Sequence, residues 1–213
     1  WISFDHQTPA TDYKRSLDLS RAVVAVSYKT GGTTFRREYF ASYPDHVIVM
    51  RITASGPEKI NCELNFSTPH TPTAKYFSEN DLLVMQGKVP GFVLRRTFEL
   101  VKQLGDAHKY PEVYDKKGDL KSEAQRILYD KAIDGLGMAF DTRVSTIKRG
   151  GTVQVKKDKI VVQDATEVVF VLSAASSYNG FDKSPAYEGT DPSEKASRYL
   201  VAAGNAGHPA LYQ

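Results

Sequence analysis

The sequence predicts a mainly β protein, a large antiparallel β-sandwich, from three observations. Three strands rich in β-branched and aromatic residues follow one another between residues 22 and 53, as expected of half-buried pleated surface. Gly31-Gly32 separates the first two strands, and glycine tolerates the positive φ of a two-residue hairpin turn. Residues Ile60–Phe66 alternate apolar and polar without error, which is typical of a strand with one buried face.

The rest of the chain supplies further predicted strands separated by turn residues. The segment Glu167–Ala174 is almost continuously apolar, so we expect a central strand covered on both faces. The segment Phe92–Leu100 is predicted to be a longer strand, and Thr152–Lys156 with Lys159–Gln163 to be a hairpin.

Two parts of the chain break the strand pattern. Residues 103–135 carry many charges and little alternation, which indicates an insertion, and Ser122–Ile133 has apolar residues near helical spacing. Residues 191–204 are predicted to form a C-terminal helix. Asp191 suits its N-cap, Pro192 its first turn and Gly204 its C-terminal stop. One small α-containing insertion and one terminal helix therefore accompany the sandwich.

Composition excludes several classes of protein. The 213 residues carry a net charge of only +3 from 28 basic and 25 acidic residues, so nucleic acid is not an expected partner. No apolar run approaches the ~18 residues of a membrane span. Cys62 is the sole cysteine, which excludes an internal disulfide. It occupies an apolar position of an alternating strand and is predicted to be buried and inert.

A long ordered pattern resembles a known family. Residues 13–54 read YKRSLDLSRAVVAVSYKTGGTTFRREYFASYPDHVIVMRITA, and EVVFVLSAASSYN follows at 167–179. Together they resemble the N-terminal β-sandwich domain of glycoside hydrolase family 95, the α-L-fucosidases and related α-L-galactosidases. The resemblance implies a super-sandwich fold and a parent enzyme that inverts configuration by activating water. It also implies that the chain is truncated at both ends and that the C-terminal helix leads toward an absent (α/α)6 catalytic barrel.

No residue is predicted to be catalytic. Hydrolysis of a glycoside needs two carboxyl groups facing each other across the bond, and none of the carboxylates here lies in a recognisable motif. By resemblance, those groups belong to the barrel. No cofactor or metal is expected, because the five histidines are far apart in sequence. They are His6, His46, His70, His108 and His208.

Two loops are candidates for substrate binding. The loop Ser176–Tyr187 holds Tyr178, Asn179, Phe181 and Asp182, whose rings and polar groups suit a surface that faces carbohydrate or another domain. The loop Ser67–Thr73 around His70 is a weaker candidate of the same kind. An ordinary loop packed on its own sandwich is the competing interpretation for both.

Three functions of different classes remain open. The chain is an accessory domain of an α-L-fucosidase-like enzyme, a free-standing carbohydrate-binding module, or a purely structural or protein-interaction sandwich. An accessory domain would have two partners, the catalytic barrel of its own parent enzyme and glycans that contain fucose or galactose. Neither nucleic acid nor a membrane is an expected partner. Such glycans imply a periplasmic or extracellular location. The isolated chain is expected to be inactive.

Overall fold

The computed structural model describes residues 1–129 and 137–206, and that part of the chain contains fourteen strands and two α-helices. The strands are β1 (Ile2–Phe4), β2 (Thr11–Asp18), β3 (Val23–Thr30), β4 (Thr33–Ser42), β5 (Val47–Ser55), β6 (Ile60–Asn65), β7 (Lys75–Glu79), β8 (Leu82–Lys88), β9 (Phe92–Val93), β10 (Ile127–Leu128), β11 (Ala139–Arg149), β12 (Thr152–Val155), β13 (Lys159–Ala165) and β14 (Glu167–Ser176). The helices are α1 (Phe98–Leu104) and α2 (Pro192–Ala206), with a 3-10 turn at Asp106–His108.

Two antiparallel sheets form the sandwich, so the predicted fold class is confirmed. The large sheet has eight strands in the order β2-β3-β4-β5-β14-β11-β8-β7, and the small sheet has the order β1-β6-β13-β12. A two-stranded ribbon, β10-β9, lies apart from both. The predicted meander is the consecutive run β3-β4-β5, and the predicted hairpin is β12-β13, which pairs Thr152 with Gln163.

The first hairpin turn has the geometry that its glycines predict. Thr30 pairs with Thr33, and Gly31 and Gly32 between them have φ of 52° and 75°. Two positive φ values define the turn type whose twist matches that of the flanking strands. The turn therefore fixes the register of β3 against β4.

The main core lies between the two sheets. Its fully buried members include Phe35, Ile52 and Phe170 of the large sheet, which pack over Ile60 and Ile160 of the small sheet. The alternation predicted for Ile60–Phe66 is confirmed, because every second residue of β6 is buried. Non-directional burial of apolar surface at this interface is the dominant stabilising contribution to the fold.

Strand β14 is central and covered on both faces, as its apolar sequence predicts. It lies between β5 and β11. Phe170 points into the main core, whereas Val169 and Val171 belong to a second cluster with Leu200 and Ala203 of α2. The helix therefore packs on the outer face of the large sheet and makes that region three layers thick.

The insertion is where the predictions fail. Phe92–Leu100 is not a long strand, because Thr97 caps α1 by accepting a hydrogen bond of 3.2 Å from the Leu100 amide. Ser122–Ile133 is not a helix over its described part, because Ile127–Leu128 is a strand paired with Phe92–Val93. Residues 130–133 lie outside the described residues. The segment has a core of its own, which begins before residue 103 and comprises Leu94, Val101, Val113, Tyr114 and Leu128.

Helix α2 begins where its sequence predicts and ends later. The Asp191 carboxylate accepts a hydrogen bond of 2.8 Å from the Ser193 amide, and Pro192 is the first helical residue. Gly204 was expected to be the stop, but the helix continues to Ala206. Gly204 does not adopt the positive φ that a glycine C-terminal stop uses, so it remains an interior helical residue.

His6 makes the stability of this core depend on pH. Its ring stacks on Phe4 and its Nε2 lies 2.7 Å from the Tyr28 hydroxyl. Burial lowers the pKa of His6 below its usual value; the charges of Glu58 and Asp5 oppose this change, and the charge of Arg37 adds to it. The unfolded chain then binds the proton more readily than the folded one, so this contribution is present above the unfolded pKa and is lost as pH falls through the folded value.

We therefore expect the free energy of unfolding to fall as pH decreases from about 7 to about 5. Urea denaturation at a series of pH values measures this change. The His6→Gln variant keeps a donor for Tyr28 but does not titrate, and it should lose part of the pH dependence. A variant with the same pH dependence as the wild type would contradict the assignment to His6.

Candidate functional site

A cavity of about 590 Å³ opens where the end of the large sheet meets the start of α2. Four separate segments form its walls: the turn before β7, the β7-β8 hairpin, the start of β11 and the first turn of α2. Its lining residues are Pro72, Thr73, Lys75, Gln86, Gly87, Lys88, Ala139, Phe140, Asp191, Pro192 and Ser193. Its size lies within the ~300–1,000 Å³ range of small-molecule sites.

The register of the large sheet fixes the polar side of the cavity. Lys75 of β7 pairs with Gln86 of β8, which in turn pairs with Asp141 of β11, so the three side chains lie in a row on one face. Gln86 Nε2 donates a hydrogen bond of 2.7 Å to Asp141 Oδ2. This bond holds the amide of Gln86 in one orientation at the cavity wall.

Asp141, at the end of this row, forms a buried ion pair with Arg143. Asp141 and Arg143 are 0% and 7% exposed, although both are charged. Arg143 Nε and Nη2 donate to the Asp141 carboxylate at 2.9 and 3.2 Å, and Nη1 donates to Glu79 at 2.7 Å. Burial tends to lower the pKa of Arg143, but hydrogen bonds and the charges of Asp141 and Glu79 raise it overall. The Asp141 carboxylate thus holds Gln86 and Arg143 in place.

Phe140 and Gly87 also line the cavity, and the alternation of side chains along β11 and β8 places them on the sheet face opposite Asp141 and Gln86. Phe140 pairs with Gly87 across β11 and β8. A Cβ added to Gly87 would lie 2.7 Å from the Phe140 ring, so glycine is what lets this ring lie against the strand. This contact could not be predicted from the sequence, because Phe140 occurs in a segment with an ordinary strand pattern.

Hydrogen bonds hold both ends of the predicted binding loop in place, so we call it a pinned loop. The Ser177 hydroxyl donates to the Pro185 carbonyl at 2.6 Å and accepts from the Ala139 amide at 3.0 Å. The Thr190 amide closes the loop by donating to the Ser177 carbonyl at 3.1 Å. Since Ala139 lines the cavity, the base of this loop is anchored at the cavity wall.

Three aromatic side chains project from this pinned loop. Tyr178, Phe181 and Tyr187 are 54%, 96% and 70% exposed. Asp182 is exposed as well, whereas Asn179 is half-buried and donates from Nδ2 to the Glu188 carbonyl at 2.8 Å. The amide of Asn179 therefore stabilises the loop. The exposed rings form what we call the loop aromatic surface.

His70 lies apart from that surface. Its Nδ1 is 2.8 Å from the Tyr129 hydroxyl, and its ring centroid is 6.0 Å from that of Phe140. It is half-buried and does not line the cavity. The structure thus does not bring His70 together with Tyr178, Asn179, Phe181 and Asp182, and none of these five residues lines the cavity.

Within residues 1–129 and 137–206, no group of three or more His, Cys, Asp or Glu side chains is arranged to hold a metal ion. His208 lies outside those residues. No helix in the same part of the chain is long and apolar enough to cross a membrane.

Comparison with known proteins decides the family. The family model described as "Glycosyl hydrolase family 65, N-terminal domain" matches residues 1–180. The chain belongs to this family of N-terminal domains. The resemblance to the N-terminal domain of a glycoside hydrolase is therefore confirmed at the level of the domain.

Curated relatives and one solved structure agree with that membership. This family 65 N-terminal domain is 27% identical over 202 residues to "Alpha-L-fucosidase 2" of Arabidopsis thaliana. It is 46% identical over 43 residues to "Probable alpha-fucosidase A" of Aspergillus niger. A chain described as "Putative kojibiose phosphorylase from human microbiome" shares the fold with a TM-score of 0.53 at 10% identity, over 99% of this chain and 25% of its own.

Each match covers a larger share of this chain than of the relative. The Arabidopsis match covers 94% of this chain but 21% of the relative, and the Aspergillus match covers 20% of this chain and 5% of the relative. This family 65 N-terminal domain thus spans about a fifth of the length of the Arabidopsis protein. Whatever the relatives do as whole proteins involves much sequence that has no counterpart here.

Cys62 is a structural thiol in this domain. It is 4% exposed, and burial, followed by the charge of Glu63, raises its pKa to about 12. Because the thiolate is the reactive form, we expect no reaction with Ellman's reagent under native conditions and one thiol per chain in denaturant. Rapid reaction in the absence of denaturant would contradict this burial.

Proposed function

We propose that this chain is the accessory β-sandwich domain of an α-L-fucosidase-like glycoside hydrolase of the family 95 type. The observation that carries the proposal is the 27% identity to "Alpha-L-fucosidase 2" along 94% of this chain. In this proposal the chemistry resides in an (α/α)6 barrel elsewhere in the parent protein, and the sandwich supports that barrel. A free-standing carbohydrate-binding module is the second candidate.

The loop aromatic surface is the place where the barrel docks in this proposal. Rings as exposed as Phe181 and Tyr187 on a loop with pinned ends give apolar contact area at little cost in conformational entropy. The loop directly precedes α2, so a domain that follows the helix can reach it. Val201 on α2 is also exposed, at 63%.

The parent enzyme provides the test of this docking surface. Phe181→Asp combined with Tyr187→Asp should lower the hydrolysis of a nitrophenyl α-L-fucoside and separate the thermal unfolding of sandwich and barrel into two transitions, because charges would be buried at the interface. Trp1→Asp is the matched control, since Trp1 is 83% exposed and precedes β1 of the small sheet, whereas α2 packs on the large sheet. Unchanged activity and unfolding in the double variant would overturn the docking assignment.

The location and the glycan follow from the same proposal. Fucose- or galactose-containing glycans are the expected substrates of the parent, and a periplasmic or extracellular location follows from that substrate class. Assaying the parent with fucoside and galactoside side by side distinguishes the two sugars. No nucleic acid and no membrane takes part in this proposal.

A further inference from the structure

The inner face of the large sheet, which points toward the small sheet, is not covered across its whole width. The large sheet has eight strands and the small sheet has four. Pairing places Leu17, Val24 and Tyr39 side by side on this face, and Ile48 lies on the same face of β5. Leu17 and Ile48 are 58% and 52% exposed, whereas Ile52 of β5 is fully buried. Val24 and Tyr39 are half-buried, and we call these two residues with Leu17 and Ile48 the uncovered corner.

Strand β1 borders the uncovered corner. Its Phe4 ring lies 4.9 Å from the guanidinium carbon of Arg37 on β4, and the Tyr28 ring on β3 lies 5.0 Å from the same carbon. Strand β1 therefore lies over the junction of β3 and β4. The opposite edge of the small sheet, β12, follows β11 through a tight turn, so the free edge of β1 faces β2. Because neighbouring strands are ~4.8 Å apart, one further strand beside β1 would lie over Leu17 and Val24.

The free edge of β1 presents backbone groups that no described strand pairs. The Trp1 carbonyl accepts a hydrogen bond of 2.9 Å from β6, and the Asp5 amide donates one of 3.1 Å to β6. The odd-numbered residues thus face β6, and in an antiparallel ladder the residues between them point the other way. The amide and carbonyl groups of Ile2 and Phe4 therefore point toward the free edge. An edge of this kind is a template for pairing with another strand.

Two arginines on the same face indicate the charge of a partner. Arg15 and Arg37 lie in one row through Val26, and no described residue forms an ion pair with either. The Nε atom of Arg37 is buried and has no hydrogen-bond acceptor within residues 1–129 and 137–206. A strand laid over this row removes water from both guanidinium groups, and an unpaired buried charge is costly. Carboxylates on the added strand would satisfy them, whereas lysines or arginines there would be repelled.

We propose that an extended segment of the parent protein, outside these 213 residues, pairs with the free edge of β1 and packs on the uncovered corner. The segment directs apolar side chains toward the corner and carries at least one carboxylate near Arg15 or Arg37. The relatives have ample sequence for it, since the Arabidopsis match covers 21% of that protein. The inference goes beyond docking at the loop aromatic surface, and it rests on the proposed function only in requiring a longer parent.

Cysteine labelling of the parent protein tests the position of the segment. Leu17→Cys should react with a maleimide at least about tenfold more slowly than Ser16→Cys, because the segment excludes the reagent from one face of β2 only. Ser16 is the matched control, since it is exposed on the same strand and points to the opposite face. Cys62 is 4% exposed and contributes little background.

Two further measurements on the parent distinguish a paired strand from any other cover. The amides of Ile2 and Phe4 should exchange with solvent as slowly as the paired amides of β6, because a hydrogen bond protects them. Arg15→Glu should raise the labelling rate of Leu17→Cys about tenfold or more by repelling the carboxylate. Lys14→Glu makes the same charge change on the opposite face of β2 and should leave that rate unchanged.

Each outcome decides the inference. Slow labelling of Leu17→Cys with slow exchange in β1 supports it. Equal labelling of Leu17→Cys and Ser16→Cys overturns it. Fast exchange of Ile2 and Phe4 overturns the paired strand in favour of a helix or loop, and protection that disappears on dilution overturns it in favour of a second copy. An Arg15→Glu variant without effect overturns the acidic character of the segment.

Failure of this inference and failure of the proposed function are seen separately. Labelling and exchange do not depend on turnover, so an unprotected Leu17→Cys in a parent that hydrolyses fucoside would overturn the paired segment and leave the proposed function standing. A protected Leu17→Cys in a parent without activity would support the segment and count against the proposed function.

Discussion

Replacing Asp141 by alanine is expected to lower the free energy of unfolding by about 3–5 kcal/mol, the cost of leaving a buried charge without its partner. Arg143 is 7% exposed and would lose two of its three hydrogen bonds to carboxylates, and Gln86 would lose its acceptor. Urea denaturation measures the change. The expected effect is among the largest for any single substitution in this chain.

Two further variants show whether the charge is responsible. Asp106→Ala removes an exposed partner of Lys109 at 3.0 Å, and we expect an unfolding midpoint close to that of the wild type. Replacing Asp141 by leucine and Arg143 by methionine together removes both charges and should recover part of the loss. A stable Asp141→Ala variant, or a double variant less stable than the single one, would contradict this account.

Replacing Phe35 by alanine is the second large effect. Phe35 is 0% exposed and stacks on Tyr28 with ring centroids 5.6 Å apart, while the His6 ring meets it at 4.7 Å. The loss of transfer free energy and the cavity left behind should cost about 3–5 kcal/mol. Phe35→Leu is the matched control, and its expected cost is smaller, because it preserves most of the volume.

Coupling between His6 and Phe35 gives this prediction a second readout. Because the two rings are in contact, the costs of Phe35→Ala and His6→Gln should not add in a double-mutant cycle. Equal costs of Phe35→Ala and Phe35→Leu, or strict additivity with His6→Gln, would show that the core is packed differently from the description above.

The architecture was predictable where local signals agree with burial. Gly31-Gly32 imposes one turn geometry, and the continuous apolar run of β14 requires cover on both faces. The segment after Phe92 was not predictable from alternation. Thr97 caps a helix there, and burial of Val101 in the core of the insertion outweighs the strand-like pattern.

The candidate sites divide in the same way. A loop rich in aromatic residues is visible in sequence, and the exposure of Phe181 agrees with that reading. The cavity could not be predicted, because strand pairing brings Lys75 beside Gln86, and the packing of α2 on the large sheet brings Ser193 to them. No single segment contains enough of the site to form a motif.

The most direct test of the central claim is hydrolysis of a nitrophenyl α-L-fucoside and a nitrophenyl α-L-galactoside by this chain alone, beside the parent protein. We expect turnover by the parent and none by the chain, because the proposed function places the carboxyl groups that cleave the glycosidic bond in the barrel, outside these 213 residues. Turnover by the isolated chain would contradict the account and would place the acid and its partner within the sandwich.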